Sequence, residues 1–372
     1  MQLKFSKKDA FNFSGHPCMG ASPSAWWNSL KDAGFDFDTA YLPKVLFISG
    51  NVLFNAPVQW LEKLRFSNNV QREKIKAPLF ILGHPRSGTT LLQYLLSKDP
   101  QFNYCTTTQA LLPNVYLTMG GILSGILKKA LPKTRPMDNL KMGADMPKEE
   151  EFALGNLTSK SMIQAYLYPR QMQRFFDENV LFKNEAAKEA WKKYFLYFCK
   201  KINHKNSGKT LLLKSPNNTA RVREILEIFP DAKFIHIYRN PYKVFLSNER
   251  LYEKILPFTS LQKVEGKAVQ DFIFYSYKAM MQKYLQDKTL IASENLVEIA
   301  YEDFTQDPLP LLKNIYSKFY PNRFSEIKTS FEQEWKAYEN YQTNVFELDA
   351  AVQKRIEQEW AFAFEAFGYK QK

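Results

Sequence analysis

Short apolar runs recur along the chain: Leu79–Leu82, residues 210–213 (TLLL), Lys233–Tyr238 (KFIHIY) and Leu296–Ala300 (LVEIA). Each is the length of a strand and largely lacks the polar alternation of a half-exposed one, so both faces are expected to be buried. Between them lie stretches of helical period: TTLLQYLLSKD, residues 220–229, and a segment opening at Pro241. Strands alternating with helices predict an α/β fold, a parallel sheet flanked by helices. Upstream, AWWNSLKDAGF and VQWLEKLRF have helical patterning and end in the charged stretch QREKIKA. That stretch marks the expected boundary between an N-terminal helical extension, 1–76, and a catalytic domain, 77–372. Residues from about 105 to 205 read as an inserted helical layer, a natural place for an acceptor pocket.

The net charge of +13 over 372 residues points to an anionic ligand, a nucleic acid or an anionic membrane surface as partner. No basic-aromatic RNA module or helix-turn-helix signature accompanies it, so a nucleic acid is not expected. Cys18, Cys105 and Cys199 are scattered, with no CxxC pair, which speaks against a disulfide framework or a zinc site. The N-terminus, MQLKFSKKDAFNFSGHPC, has no apolar core of signal-peptide length. Both features suit a cytoplasmic protein. The apolar run 115–127, VYLTMGGILSGIL, is too short to span a bilayer and carries glycines. It predicts a buried or interfacial helix, and with it peripheral membrane contact. A non-catalytic lipid-surface protein would use the same run.

The segment Gly83-His84-Pro85-Arg86-Ser87-Gly88-Thr89-Thr90 follows a strand and opens a helix. Free backbone N–H groups and a positive helix end at such a junction cradle an anion, which makes the fold of the P-loop type. The spacing is that of GxxxxGK[ST], with Thr89 in the lysine position. A kinase or NTPase needs that lysine for the β- and γ-phosphates, so a nucleotide-dependent kinase is the weaker reading. A second anion contact lies at Arg239, which follows the third of these strands, and at Ser247 on the next helix. A guanidinium and a hydroxyl so placed are able to grip one phosphate from two sides. No His/carboxylate spacing suggests a metal.

PRSGTTLL resembles the 5′-phosphosulfate loop of the sulfotransferases that use 3′-phosphoadenosine 5′-phosphosulfate (PAPS), and the surrounding motifs look like the bacterial branch of that superfamily. The resemblance implies that Arg86, Ser87, Gly88, Thr89 and Thr90 hold the 5′-phosphate and sulfuryl group. It also implies that Arg239 and Ser247 hold the 3′-phosphate, with the 3′,5′-bisphosphate (PAP) as product. Lys214, ending the TLLL strand before Ser215-Pro216, resembles the strand-end lysine that contacts the sulfonate. Pro216 stands where many cytosolic members carry a basic histidine. The expected base is therefore Glu149 or Glu151, in a Pro147–Phe152 stretch similar to a Pro-x-Glu-x-Glu-Phe pattern of bacterial relatives, with His84 as the rival. On one helix the two glutamates would diverge by about 200°, leaving one as base and the other structural. The Tyr301-Glu302-Asp303 segment resembles the family's strand-end scaffold, and WKAYENYQTNVF is a candidate lid, with Tyr338 or Tyr341 near the ligand. Trp335, Trp360 and Phe367 fit a closing layer. Apolar helices at Trp26-Trp27, Leu111 to Leu131 and Tyr166 to Phe176 favour a hydrophobic hydroxyl acceptor (sterol, lipid or phenolic alcohol) over a sugar or amine.

Overall fold

A computed structural model of the chain describes residues 1, 3–13, 15–135, 137–138, 140–204, 206, 208–338 and 348–371. The chain forms two compact units, each assembled from separate stretches of sequence.

The first unit takes in Met1–Ile75, Cys105–Gly208 and Glu249–Phe272 and is helical. Its N-terminal part is built on α1 (Pro23–Asp32), capped by the Ser22 hydroxyl, which accepts from the Ala25 N–H, and on the long α2 (Leu42–Arg72). The layer from 105 to 208 adds helices that include Tyr116–Ala130, Glu150–Leu157 and Glu185–Asn203. Trp191 and Phe195 of the last stack at 4.6 Å in its core.

The second unit takes in Lys76–Tyr104, Lys209–Asn248 and Ile273–Lys372. It holds a five-stranded sheet, every pairing parallel: β1 (Leu79–Leu82), β2 (Phe102–Tyr104), β3 (Thr210–Lys214), β4 (Lys233–Tyr238) and β5 (Leu296–Ala300), in the order β2-β3-β1-β4-β5. The α/β architecture and the apolar strands are those expected from the sequence. The edge strand β2 is an addition: FNY is three residues long with a polar centre, too little for periodicity to register. β1 is fully buried on both faces, as unbroken LFIL requires.

Register decides where the chemistry can be. Ile81 pairs with Lys214 and Leu82 with His236, while Tyr238 pairs with Ala300. The residues following β1, β4 and β5, together with the last residue of β3, therefore lie along one edge, the carboxyl ends of the strands. That edge is where open parallel sheets bind ligands. His236, placed in the core by its mid-strand position, is fully buried and stacks on Tyr284 at 3.9 Å with Nδ1 3.3 Å from the Glu298 carboxylate. The closing aromatic layer is present as well. Trp360 stacks on Tyr277 at 3.9 Å and donates its indole N–H to the Phe274 carbonyl, and Phe367 stacks on Tyr238 at 4.7 Å.

Candidate active site

β1 ends at Leu82, and the chain turns through Gly83 (φ +145°) and Gly88 (φ +94°) into α3 (Thr89–Leu96). Both glycines are required by space as well as conformation. A Cβ on Gly83 would lie 2.3 Å from the Ile237 carbonyl oxygen, and one on Gly88 would lie 2.3 Å from Cδ2 of Tyr301. Arg86 adopts φ +76°, a left-handed conformation that a side-chain-bearing residue holds at a cost of roughly 1–2 kcal/mol. The neighbours keep the loop in this shape. The Gly83 N–H donates to the Thr219 hydroxyl at 2.8 Å, the Ser87 N–H to the His84 carbonyl at 3.1 Å, and the Asn248 amide to the Pro85 carbonyl at 3.1 Å. Gly88→Ala is expected to lower unfolding stability by about 1–3 kcal/mol, because the Tyr301 ring must move and the φ remains unfavourable. Chemical denaturation checks this, and an unchanged midpoint would show that the ring yields freely.

The predicted cations converge on this loop. Arg86 donates from Nε to the Ser247 hydroxyl at 2.9 Å. Arg239, just past β4, donates from Nη1 to the Arg86 carbonyl at 3.0 Å, and its guanidinium lies 4.1 Å from the centre of the Tyr301 ring. Lys214, buried at the end of β3, donates from Nζ to the Thr90 hydroxyl at 3.3 Å. Arg86, Ser87, Gly88, Thr89, Thr90, Lys214, Arg239 and Ser247 thus all belong to one unit, and these hydrogen bonds tie the arginines, the lysine and their hydroxyl partners to the loop. The pairing differs in detail from a grip by Arg239 and Ser247 alone: here Ser247 accepts from Arg86, and Arg239 braces the Arg86 backbone. Thr219, Asn248 and the wall formed by Tyr301 were not foreseen as site elements. Nothing in PNNTA or in SNE distinguishes a buried polar anchor from a surface loop.

His84 lies in the same loop, edge-on to Tyr277 at 4.9 Å. Burial pushes its imidazole down to about 3, against a smaller upward pull from its bond to the Pro85 carbonyl. The ring is therefore neutral near pH 7, and because a carbonyl only accepts, Nδ1 carries the proton.

The acidic motif belongs to the helical unit. Glu149 is the N-cap of the Glu150–Leu157 helix, with extended φ −71° and ψ 131°, so it stands outside the helix and the 200° divergence from Glu151 does not apply. Glu150 and Glu151 are buried, and Glu151 accepts the Met162 N–H at 2.7 Å, while Glu149 is half-buried. Burial first, then the charges of Tyr252, Glu149 and Glu151, push the Tyr166 hydroxyl well above its usual range, so it stays protonated beside these acids. Tyr338 is buried and donates to Glu334, whereas Tyr341 and most of the candidate lid lie outside the described residues.

The profile of the sulfotransferase family matches residues 78–320, a span that contains the phosphate loop, Lys214, Arg239 and Ser247. The chain belongs to the sulfotransferase family. It is 28% identical over 355 residues to the omega-hydroxy-beta-dihydromenaquinone-9 sulfotransferase Stf3 of Mycobacterium bovis, a match covering 94% of this chain and 90% of that one. Stf3 of Mycobacterium tuberculosis matches to the same extent. Among solved structures, sulfotransferase STF9 from Mycobacterium avium superposes with a TM-score of 0.64 at 17% identity, covering 94% of this chain and 97% of that one. STF1 from Mycobacterium tuberculosis gives 0.61 at 15%, covering 96% and 97%. These relatives are bacterial, as the loop's resemblance implied, and the family assignment displaces the kinase reading.

Proposed function

We propose that the chain transfers a sulfuryl group from PAPS to a hydroxyl of a hydrophobic molecule. The observation that carries this reading is the convergence of Lys214 and Arg239 on a phosphate-type loop whose Walker lysine position is Thr89. The residues suit the donor. Gly83 and Gly88 let the loop backbone pack against Ile237 and Tyr301 in its phosphate-loop shape. Arg86, Ser87, Thr89 and Thr90 would hold the 5′-phosphosulfate, and Arg239 with Ser247 the 3′-phosphate. Bound there, PAPS supplies a sulfur whose bond to the nucleotide's bridging oxygen breaks as the acceptor oxygen attacks. Lys214, a fixed buried cation, would steady the negative charge on the sulfonate.

The acceptor proton needs a base, and we assign it to Glu149. His84, at about 3, is too weak a base near neutrality. Glu151 is buried and accepts the Met162 N–H, whereas Glu149 is half-buried at the helix cap. The hydrophobic acceptor draws support from Stf3, whose name describes a hydroxylated menaquinone as its substrate. A lipid alcohol is therefore the acceptor class we favour over a sterol, phenol, sugar or amine. A cytoplasmic location suits Cys18, Cys105 and Cys199, all buried and unpaired as disulfides.

Calorimetric titration with PAP, against ATP plus magnesium, tests the donor site. Clear preference for PAP is expected, and preference for ATP or binding of neither would overturn the reading. Transfer of labelled sulfate from PAPS to detergent-dispersed long-chain alcohols, compared with sugars, then tests the acceptor class.

A further inference from the structure

The long helix α2 buries two charged residues, Lys44 and Glu62, beside Val45, Ile48 and Val52, and turns its largest apolar residues outward. Lys44 is fully buried, donating from Nζ to the Phe258 carbonyl at 2.8 Å and to the Ser260 carbonyl at 3.4 Å. Glu62 is 2% exposed, with Oε1 2.5 Å from Lys201 Nζ and Oε2 accepting the Thr118 N–H at 2.7 Å. Burying charges is costly even when they are paired. On the opposite side Leu42, Leu46, Leu53 and Phe54 are exposed, the last two at 69% and 83%. Past Pro57 the same side continues with Trp60, Leu61 and Leu64. At 100° per residue these positions fall within an arc of about 120°, and they run for roughly 33 Å along the helix. Single exposed leucines are ordinary, but a continuous apolar ridge of this length marks a surface that meets something apolar.

The exposed charges on α2 and on the helix packed against it are basic. The helix Tyr116–Ala130 lies against α2 and presents Ile122 and Ile126, at 65% and 57% exposure, with Lys128 and Lys129 in its last turn. On α2 the exposed charges are Lys63, Arg65 and Arg72. Glu62, the sole acid in either helix, is the buried one. Nearby Asp145 pairs with Lys128 at 2.6 Å and leaves the other cations their charge.

We infer that this face docks on an anionic lipid bilayer, with α2 lying in the plane of the headgroups, its apolar ridge in the acyl boundary and its cations against lipid phosphates. Apolar area combined with basic flanks is the pattern of helices that lie on membranes. No helix among the described residues is long and apolar enough to cross one. A second copy fits this face less well than an anionic surface, because two chains of +13 each repel one another. The inference stands apart from the donor assignment, since docking needs no nucleotide. It would bring the enzyme to the phase in which a lipid alcohol resides.

Co-sedimentation of the full chain with vesicles of phosphatidylcholine mixed with phosphatidylglycerol, against phosphatidylcholine alone, tests it. Binding to the mixed vesicles is expected, weakening as salt is raised. Leu53→Glu combined with Phe54→Glu is expected to reduce that binding about tenfold or more, with the thermal midpoint and PAP affinity unchanged. Trp60→Ser, farther along the ridge, should give a smaller loss, which keeps the test decisive if the double variant folds poorly. Lys63→Glu with Arg65→Glu should abolish the preference for anionic vesicles. Three results would overturn the inference: no binding to mixed vesicles, binding unaffected by the ridge variants, or a solution dimer that the ridge variants dissociate.

Discussion

Arg239→Ala is expected to weaken PAP binding about a hundredfold, the largest single loss at the donor site. A charge-assisted hydrogen bond to phosphate contributes about 1.5–3 kcal/mol, equivalent to roughly 10–150-fold in affinity. Arg239 does more than supply charge, because it also holds the Arg86 carbonyl at 3.0 Å and lies over the Tyr301 ring at 4.1 Å. Without it, the loop loses a brace at the residue whose backbone is left-handed, φ +76°. The loss should therefore reach the 5′-phosphate contacts too, so affinity for a nucleotide lacking the 3′-phosphate should also fall. Arg239→Lys separates these contributions. A lysine keeps the charge but has neither the planar fork nor the stacking face, so partial recovery is expected. Calorimetric titration of both variants with PAP and with adenosine 5′-phosphate reads all of this. Wild-type affinity in Arg239→Ala would move the 3′-phosphate site elsewhere.

The strands and the phosphate loop were legible in the sequence because each is encoded locally. LFIL, TLLL and KFIHIY announce buried parallel strands by apolar continuity, and the glycine, hydroxyl and arginine spacing of the loop depends on its own backbone. What escaped depends on which side of an element faces in. The three-residue β2 is a strand by virtue of its pairing with β3, not of its own composition. Ser247 was legible as a hydroxyl expected at the loop, but its contact with Arg86 rather than Arg239 follows from how the helix after β4 approaches the loop. The same limit conceals α2. Its 3.6-residue period is present in the sequence, but periodicity is indifferent to which face is buried. Only the exposure of Leu46, Leu53, Phe54 and Trp60 shows that an apolar side looks outward. The acidic motif presents a related case: Pro147 to Phe152 suggested a helix through all its acids, yet the helix starts at Glu150 and leaves Glu149 as the extended cap.

That one-residue offset makes the glutamates separable by experiment. Glu149→Gln is expected to lower turnover by about 10²–10⁴, the range that a positioned general base contributes, with PAP affinity and unfolding midpoint unchanged. The amide preserves size and most hydrogen bonding, so loss of turnover alone reports loss of a proton acceptor. Glu151→Gln should behave differently. Its side-chain oxygen still accepts the Met162 N–H, so folding persists and turnover falls far less. Glu151→Ala removes that acceptor from a site 2% exposed and strands the N–H, which is expected to lower stability by about 1–3 kcal/mol. Steady-state rates with a lipid alcohol, read beside thermal melts, distinguish the roles. Full activity in Glu149→Gln combined with inactivity in folded Glu151→Gln would transfer the base to Glu151. Full activity in both would return the proton to another group and leave the acidic motif a structural helix start.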